Sequence, residues 1–209
     1  MSSDRCLEAL RAVVGDKQVL HSDRATRFYR TGIKLGGGSA LAVTLPRTPL
    51  EMWQVLKVCV EYDTIVIMQA ANTGVTAGST PMGDDYDREI VIVNTRAMDD
   101  LVLLDGGNQV LAFAGATLFR LEELIEPIGR SPHSVIGSSC IGASVVGGIC
   151  NNSGGNLVNR GPAYTELALF ARLDQHGELE LVNHLGIELG ASPAEILTNP
   201  AAGNLDRDP

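Results

Sequence analysis

Apolar residues recur at helical spacing in residues 6–14, where Leu7, Leu10, Val13 and Val14 share a face and Gly15 follows as a stop. That pattern predicts a short amphipathic helix. A second helix is predicted from Thr48 to about residue 62, because a capping threonine, Pro49 and an early Glu51 suit the free N–H groups and positive end of a helix start. Met52, Val55, Leu56, Cys59 and Val60 form its expected buried stripe. Short apolar runs at 40–45, closed by Pro46, and at 64–68, 90–94, 101–104 and 110–114 read as strands. The turn Asp105-Gly106-Gly107-Asn108 separates the last two. A helix over 117–128, ended by Gly129, and a hairpin over 166–173 and 178–182 about a turn at 174–177 complete the pattern. Strands and helices alternate, and no internal repeat is found.

Two stretches of small residues interrupt this pattern. Residues 69–81 hold no large side chain beyond Gln69 and Val75, and residues 137–155 place Gly142, Ala143, Ser144, Gly147 and Gly148 at the start of an expected helix. Neither stretch has the side chains to build much core. A strand followed by such a loop is how α/β folds present a row of backbone N–H groups to a diphosphate, since larger side chains block the approach. Thr73, Thr76, Ser79 and Thr80 add hydroxyls, and Gly74 and Gly78 are expected to take backbone angles that other residues resist. A tight surface connection is the lesser alternative for the first loop, and close helix packing accounts for the second as simply. Two such loops in one chain favour a long ligand. The sequence has no GxxxxGK[ST] and no GxGxxG after a strand, which excludes a P-loop and a Rossmann fingerprint.

Charge narrows the partners. With 16 basic and 25 acidic residues the chain carries −9, so a nucleic-acid backbone is repelled. No apolar run reaches the ~20 residues of a membrane span. Asp4, Arg5, Glu8 and Arg11 break any apolar signal-peptide core. Cys6, Cys59, Cys140 and Cys150 lack a CxxC pair, which fits a reducing cytoplasm. Cys140 and Cys150 are expected to be inert small packers, and Asp84, Asp85 and Asp87 to form a solvated turn. His21, His176 and His184 are expected at the surface and His133 in a packed or capped position; no metal site is expected. The segment 24–34, with four basic residues around Phe28 and Tyr29, runs into Leu35 and the glycines 36–38. It reads as a mobile link.

Three motifs taken together, MQAANTGVTAGSTP, SPHSVIGSSCIGASVVGGICNNSGG and RGPAYTELALFARL, resemble the quinone-linked, flavin-dependent D-lactate dehydrogenases of bacterial respiratory chains. The resemblance runs from the first helix to about Leu197. It implies an α+β fold of the vanillyl-alcohol-oxidase or PCMH FAD-binding type, with one α/β lobe over about 1–97 and a second over about 98–209 that is incomplete at its C-terminus. FAD would lie between them in a groove both loops face. By the same resemblance Ala70, Ala71, Asn72, Thr73 and Gly74 wrap the FAD diphosphate and Gly78 and Ser79 continue towards the ribityl chain. Gly137, Ser144 and Gly154 supply a second set of flavin contacts. No histidine lies in 66–81, where covalent attachment in this superfamily commonly occurs, so FAD is expected to be held noncovalently. Ala77 and Met82 stand where more polar residues are expected.

The implied activity oxidises D-lactate to pyruvate, with electrons passing through FAD to a membrane quinone. The catalytic residue, the substrate cap and the membrane-binding region are expected outside this stretch. The chain is therefore read as an N-terminal part, cytoplasmic and without its own membrane anchor, of a parent peripheral on the cytoplasmic face of the inner membrane. Another 2-hydroxy acid as substrate, or a non-catalytic flavin-binding or interaction protein, are the alternatives.

Overall fold

The computed structural model describes residues 2–132, 137–153, 159 and 161–200. Helix α1 (Ser2–Val14) buries Cys6, Leu10 and Val14, one residue per turn on a single face. After it come β1 (Val19–Leu20), the short α2 (Asp23–Thr26), β2 (Ala42–Thr44), α3 (Pro49–Glu61), β3 (Ile65–Gln69) and β4 (Ile90–Asn94). The strands form one sheet in the order β1-β2-β4-β3, in which β1 runs antiparallel to β2 while β2 and β3 both run parallel to β4.

Every residue of β4 is buried, which accounts for its unbroken Ile-Val-Ile-Val run: a parallel strand covered on both faces needs no polar alternation. Its pleat divides the core. Val91 and Val93 pack with Leu10, Val55 and Cys59 under α1 and α3, whereas Ile90 and Ile92 join Val43 and the flanking Tyr29, Ile65 and Ile67 on the other face.

Helix α3 starts as its sequence predicts, with the Thr48 side chain accepting from Glu51 N–H at 3.1 Å. Its buried stripe is different. Trp53, Val55, Val58 and Cys59 are buried, while Val60 is 38% exposed and Leu56 only half-buried. Val55 and Cys59, one turn apart, centre the seam, and Val60 has rotated well away from it.

Beyond the sheet, β5 (Leu101–Leu104) and β6 (Gln109–Ala112) form one hairpin, followed by α4 (Leu118–Ile125) and α5 (Val145–Cys150). A second hairpin, β7 (Leu169–Leu173) with β8 (Leu179–Asn183), precedes α6 (Pro193–Thr198). Leu118, Leu121, Ile125, Ala143 and Val145 make one cluster, and Leu185, Ile187 and Leu189 another. Helix α4 gives way after Ile125 to a 3-10 turn, Glu126–Ile128, because Pro127 has no N–H to continue the ladder. Gly129 then leaves at φ 69°. Helix α6, not foreseen from the sequence, opens with a capping box between Ser192 and Glu195.

One connection positions the candidate site. Parallel neighbours cannot be joined by a tight turn, so residues 70–89 must carry the chain from the carboxyl end of β3 back to the start of β4. The first small-residue loop is the opening part of that crossover. It therefore lies at the sheet's carboxyl edge, where α/β sheets present their ligand loops.

Candidate cofactor-binding site

The loop is held by two buried or half-buried amides rather than by its own core. Gln69, 2% exposed at the end of β3, donates through Nε2 to the carbonyls of Tyr29 at 2.6 Å and Ser79 at 2.7 Å. Its Oε1 accepts from Asn94 Nδ2 at 3.0 Å. Asn72 donates to the Thr31 carbonyl at 2.9 Å and accepts from Ser79 Oγ at 2.8 Å. The two ends of the 70–79 segment are thus tied to each other and to the segment that begins at Tyr29.

That segment is no free link. Gly37 N–H donates to Pro81 O and Gly83 N–H to Gly37 O, both at 2.8 Å, and Gly37 bridges Thr31 and Met82. Arg30 closes it from the other side, donating to Gly38 O at 2.9 Å while paired with Asp23. The glycines are there for close approach: a Cβ on Gly36, whose φ is +97°, would stand 2.0 Å from Thr80 Oγ1, and one on Gly38 would stand 2.1 Å from Gly83 O. Asp84 is also more than a solvated tip, since it accepts from Ser39 N–H at 2.6 Å.

The left-handed positions of the loop differ from those expected. Asn72 at φ 55° and Ala77 at φ 60° take them, and neither Gly74 nor Gly78 has positive φ. What the two glycines provide is space, for a Cβ on either would meet nothing within 4 Å. Among the described residues no protein acceptor meets a backbone N–H from Ala71 to Gly78, and the hydroxyls of Thr73 and Thr76 have no partner either. The result is a stretch of peptide donors at the carboxyl end of β3 without a protein partner among the described residues.

The second loop reaches the first. A Cβ built on Gly142, at φ +92°, would lie 3.8 Å from the Cβ of Ala71. Behind Gly142, Leu118 N–H donates to Ala143 O and Val145 N–H to Ala116 O, each at 2.9 Å, which pins the loop to the start of α4. Ser144 is buried and caps α5 by accepting from Gly147 N–H at 3.0 Å. Gly137 opens the 3-10 turn Gly137–Ile141. Gly154 and His133 lie outside the described residues.

Ala70, Ala71, Asn72, Thr73, Gly74, Gly78 and Ser79 therefore fall on one edge, with Ser144 in the adjoining loop. The side chains of Asn72 and Ser79 are engaged with each other. The residues that sequence reasoning missed are Gln69, Asn94 and the segment 29–38, whose only local signal is the glycine triplet. Cys140 and Cys150 are exposed rather than packers. Cys6 and Cys59 are the buried pair, and burial pushes the Cys59 thiol up to about 11.

Bare donors over open space, on a strand-end loop met by a second glycine-containing loop, define a dinucleotide-cofactor domain. The chain belongs to the FAD binding domain family, whose model matches residues 40–178. It is 58% identical over 199 residues to the quinone-dependent D-lactate dehydrogenase of Haemophilus influenzae, covering 95% of this chain and 35% of that protein. The chain thus spans about a third of that relative's length. Among solved structures, an alkyldihydroxyacetonephosphate synthase superposes with a TM-score of 0.71 at 17% identity, over 88% of this chain and 36% of that one. A p-cresol methylhydroxylase with substrate bound superposes with a TM-score of 0.56 at 19% identity, over 70% of this chain and 29% of that one. The fold is of the PCMH FAD-binding type, α+β as its elements read.

Proposed function

We propose that this chain is the FAD-binding part of a quinone-dependent D-lactate dehydrogenase. Its two α/β lobes, about 1–97 and 98–209, hold FAD noncovalently where the Ala71 and Gly142 loops meet. The observation that carries this reading is the run of unpartnered N–H groups between Ala71 and Gly78. Successive peptide N–H groups can serve a diphosphate without a cationic side chain, in a chain of net charge −9. Ala70, Thr73, Gly74 and Gly78 would offer backbone donors, and the Ser144 hydroxyl a proton from the second loop.

Bound FAD supplies the electron acceptor for oxidation of the hydroxyl-bearing carbon of D-lactate, and quinone takes the electrons onward. The chain's own residues bind and orient the cofactor. Among the described residues no helix is long and apolar enough to cross a membrane; we assign the stretch to the cytoplasmic side, in a parent protein peripheral on the inner membrane.

Titration of the chain with FAD, followed by quenching of flavin fluorescence, is expected to saturate, and a Gly74→Trp variant to lose most of that binding. No saturable quenching, or equal quenching by the variant, overturns the assignment. In a polypeptide as long as the relatives, D-lactate is expected to bleach the bound flavin and quinone to restore it. Bleaching by a different 2-hydroxy acid alone would reassign the substrate.

A further inference from the structure

The side chain of Asn72 has a task other than touching the cofactor. Its residue is one of two in the cradle with a left-handed backbone, at φ 55°, and its amide faces protein on both sides. Nδ2 reaches the Thr31 carbonyl at 2.9 Å, forty-one residues away in sequence, and Oδ1 takes the Ser79 hydroxyl at 2.8 Å. Each half of the amide is used in the role its chemistry allows, donor to a carbonyl and acceptor from a hydroxyl.

Without those bonds the 70–79 segment has few constraints. Between Ala71 and Ser79 it contains no buried residue, and the backbone hydrogen bond that closes its end, from Thr80 N–H to Ala77 O, is long at 3.4 Å. A row of N–H groups binds an anion tightly only when it is held in place beforehand, since ordering it on binding subtracts from affinity. The backbone torsion and both side-chain bonds of Asn72 converge on that ordering.

We infer that Asn72 is a positioning residue: it clamps the diphosphate cradle to Thr31 and Ser79 and acts on FAD only through the backbone it fixes. This rests on the FAD reading above. The clamp extends the cofactor site to the segment Tyr29–Gly38, which nothing in its own composition marks as cofactor-binding.

The test compares FAD with riboflavin, which lacks the diphosphate, on the 209-residue chain and its variants. Asn72→Asp keeps the acceptor for Ser79 but sets a carboxylate against the Thr31 carbonyl. It is expected to weaken FAD roughly tenfold or more and to leave riboflavin unchanged. Asn72→Gly keeps the left-handed backbone and loses both bonds, so it too should weaken FAD selectively. Ser79→Ala should cost a few-fold, and Ser79→Thr should restore affinity. Circular dichroism and thermal melting of each variant report whether the fold is retained. The inference fails if Asn72→Asp and Asn72→Gly bind FAD within about twofold of the parent chain, or if FAD and riboflavin affinities fall together. Absence of FAD binding by the parent chain overturns the underlying reading instead.

Discussion

Ala71 and Gly142 face each other across the junction of two loops that are 71 residues apart in sequence, a Cβ added to Gly142 standing 3.8 Å from the Ala71 methyl. Neither residue belongs to a core cluster. Enlarging Ala71 to leucine therefore acts on the junction rather than on the fold. An Ala71→Leu variant is expected to lose FAD affinity by at least about tenfold while its melting temperature moves by only a few degrees, since overpacking at a half-exposed site costs on the order of 1 kcal/mol. Flavin fluorescence titration and thermal denaturation check this. Unchanged affinity would show that no cofactor passes between these loops.

Ala77 is strained. Its φ of 60° brings Cβ towards the following carbonyl, a conformation that disfavours L residues by about 1–2 kcal/mol and glycine hardly at all. Ala77→Gly should raise stability by about 0.5–1 kcal/mol after the larger entropy of the unfolded glycine chain is subtracted. The observable is a higher urea midpoint with an unchanged slope. Gly78→Ala provides the contrast: its φ is not positive and its Cβ meets open space, so stability should change little while FAD affinity drops.

The same loop shows where the sequence could be read and where it could not. β4, the Thr48 cap of α3 and the β5–β6 and β7–β8 hairpins were legible because local pattern and burial agree there. The place of the small-residue loop after β3 was legible because the apolar run stops abruptly at Gln69. Which residues carry the left-handed turns was not, since Asn72 adopts its own under ties to Thr31 and Ser79 that no local spacing encodes, and Ala77 carries the other without a glycine to mark it. The segment at Gly36–Gly38 resembled a link for the same reason: its glycines serve contacts with Thr80 and Gly83, far along the chain. Val60 was misplaced because its phase on α3 depends on how that helix seats against α1.

Cys59 makes stability depend on alkaline pH. Burial first of all raises its thiol from an ordinary value near 9 to about 11, and burial shifts Cys6 in the same direction. Between those values the unfolded chain releases a proton that the folded chain keeps, so the folded state binds more protons and stability falls as pH rises. The Cys59 contribution is complete below about pH 9 and lost through about pH 11, on the order of 2–3 kcal/mol in all. Urea denaturation of Cys59→Ala across this window should give a shallower decline than the parent chain. Parallel declines would mean that Cys59 does not titrate in this way.

Gln69 is the residue on which the fold and the site depend together. It is 2% exposed, and its amide serves Tyr29 O, Ser79 O and Asn94 Nδ2 at 2.6, 2.7 and 3.0 Å. Gln69→Leu fills a similar volume but leaves two carbonyls without that donor; Asn94 Nδ2 keeps its bond to Ala70 O at 2.9 Å. Each buried group stranded in this way costs about 1–3 kcal/mol, so a loss of about 2–5 kcal/mol is expected, well above that of a typical surface change. Because two of the three bonds hold Tyr29 and Ser79, the variant should also weaken FAD under conditions where it remains folded. Gln69→Glu separates the two effects. At neutral pH its carboxylate opposes both carbonyls, whereas at a pH low enough to protonate it one donor returns, so its stability relative to the parent should improve on acidification. If Gln69→Glu loses ground to the parent as the pH falls, the amide does not hold the loop as its hydrogen bonds indicate.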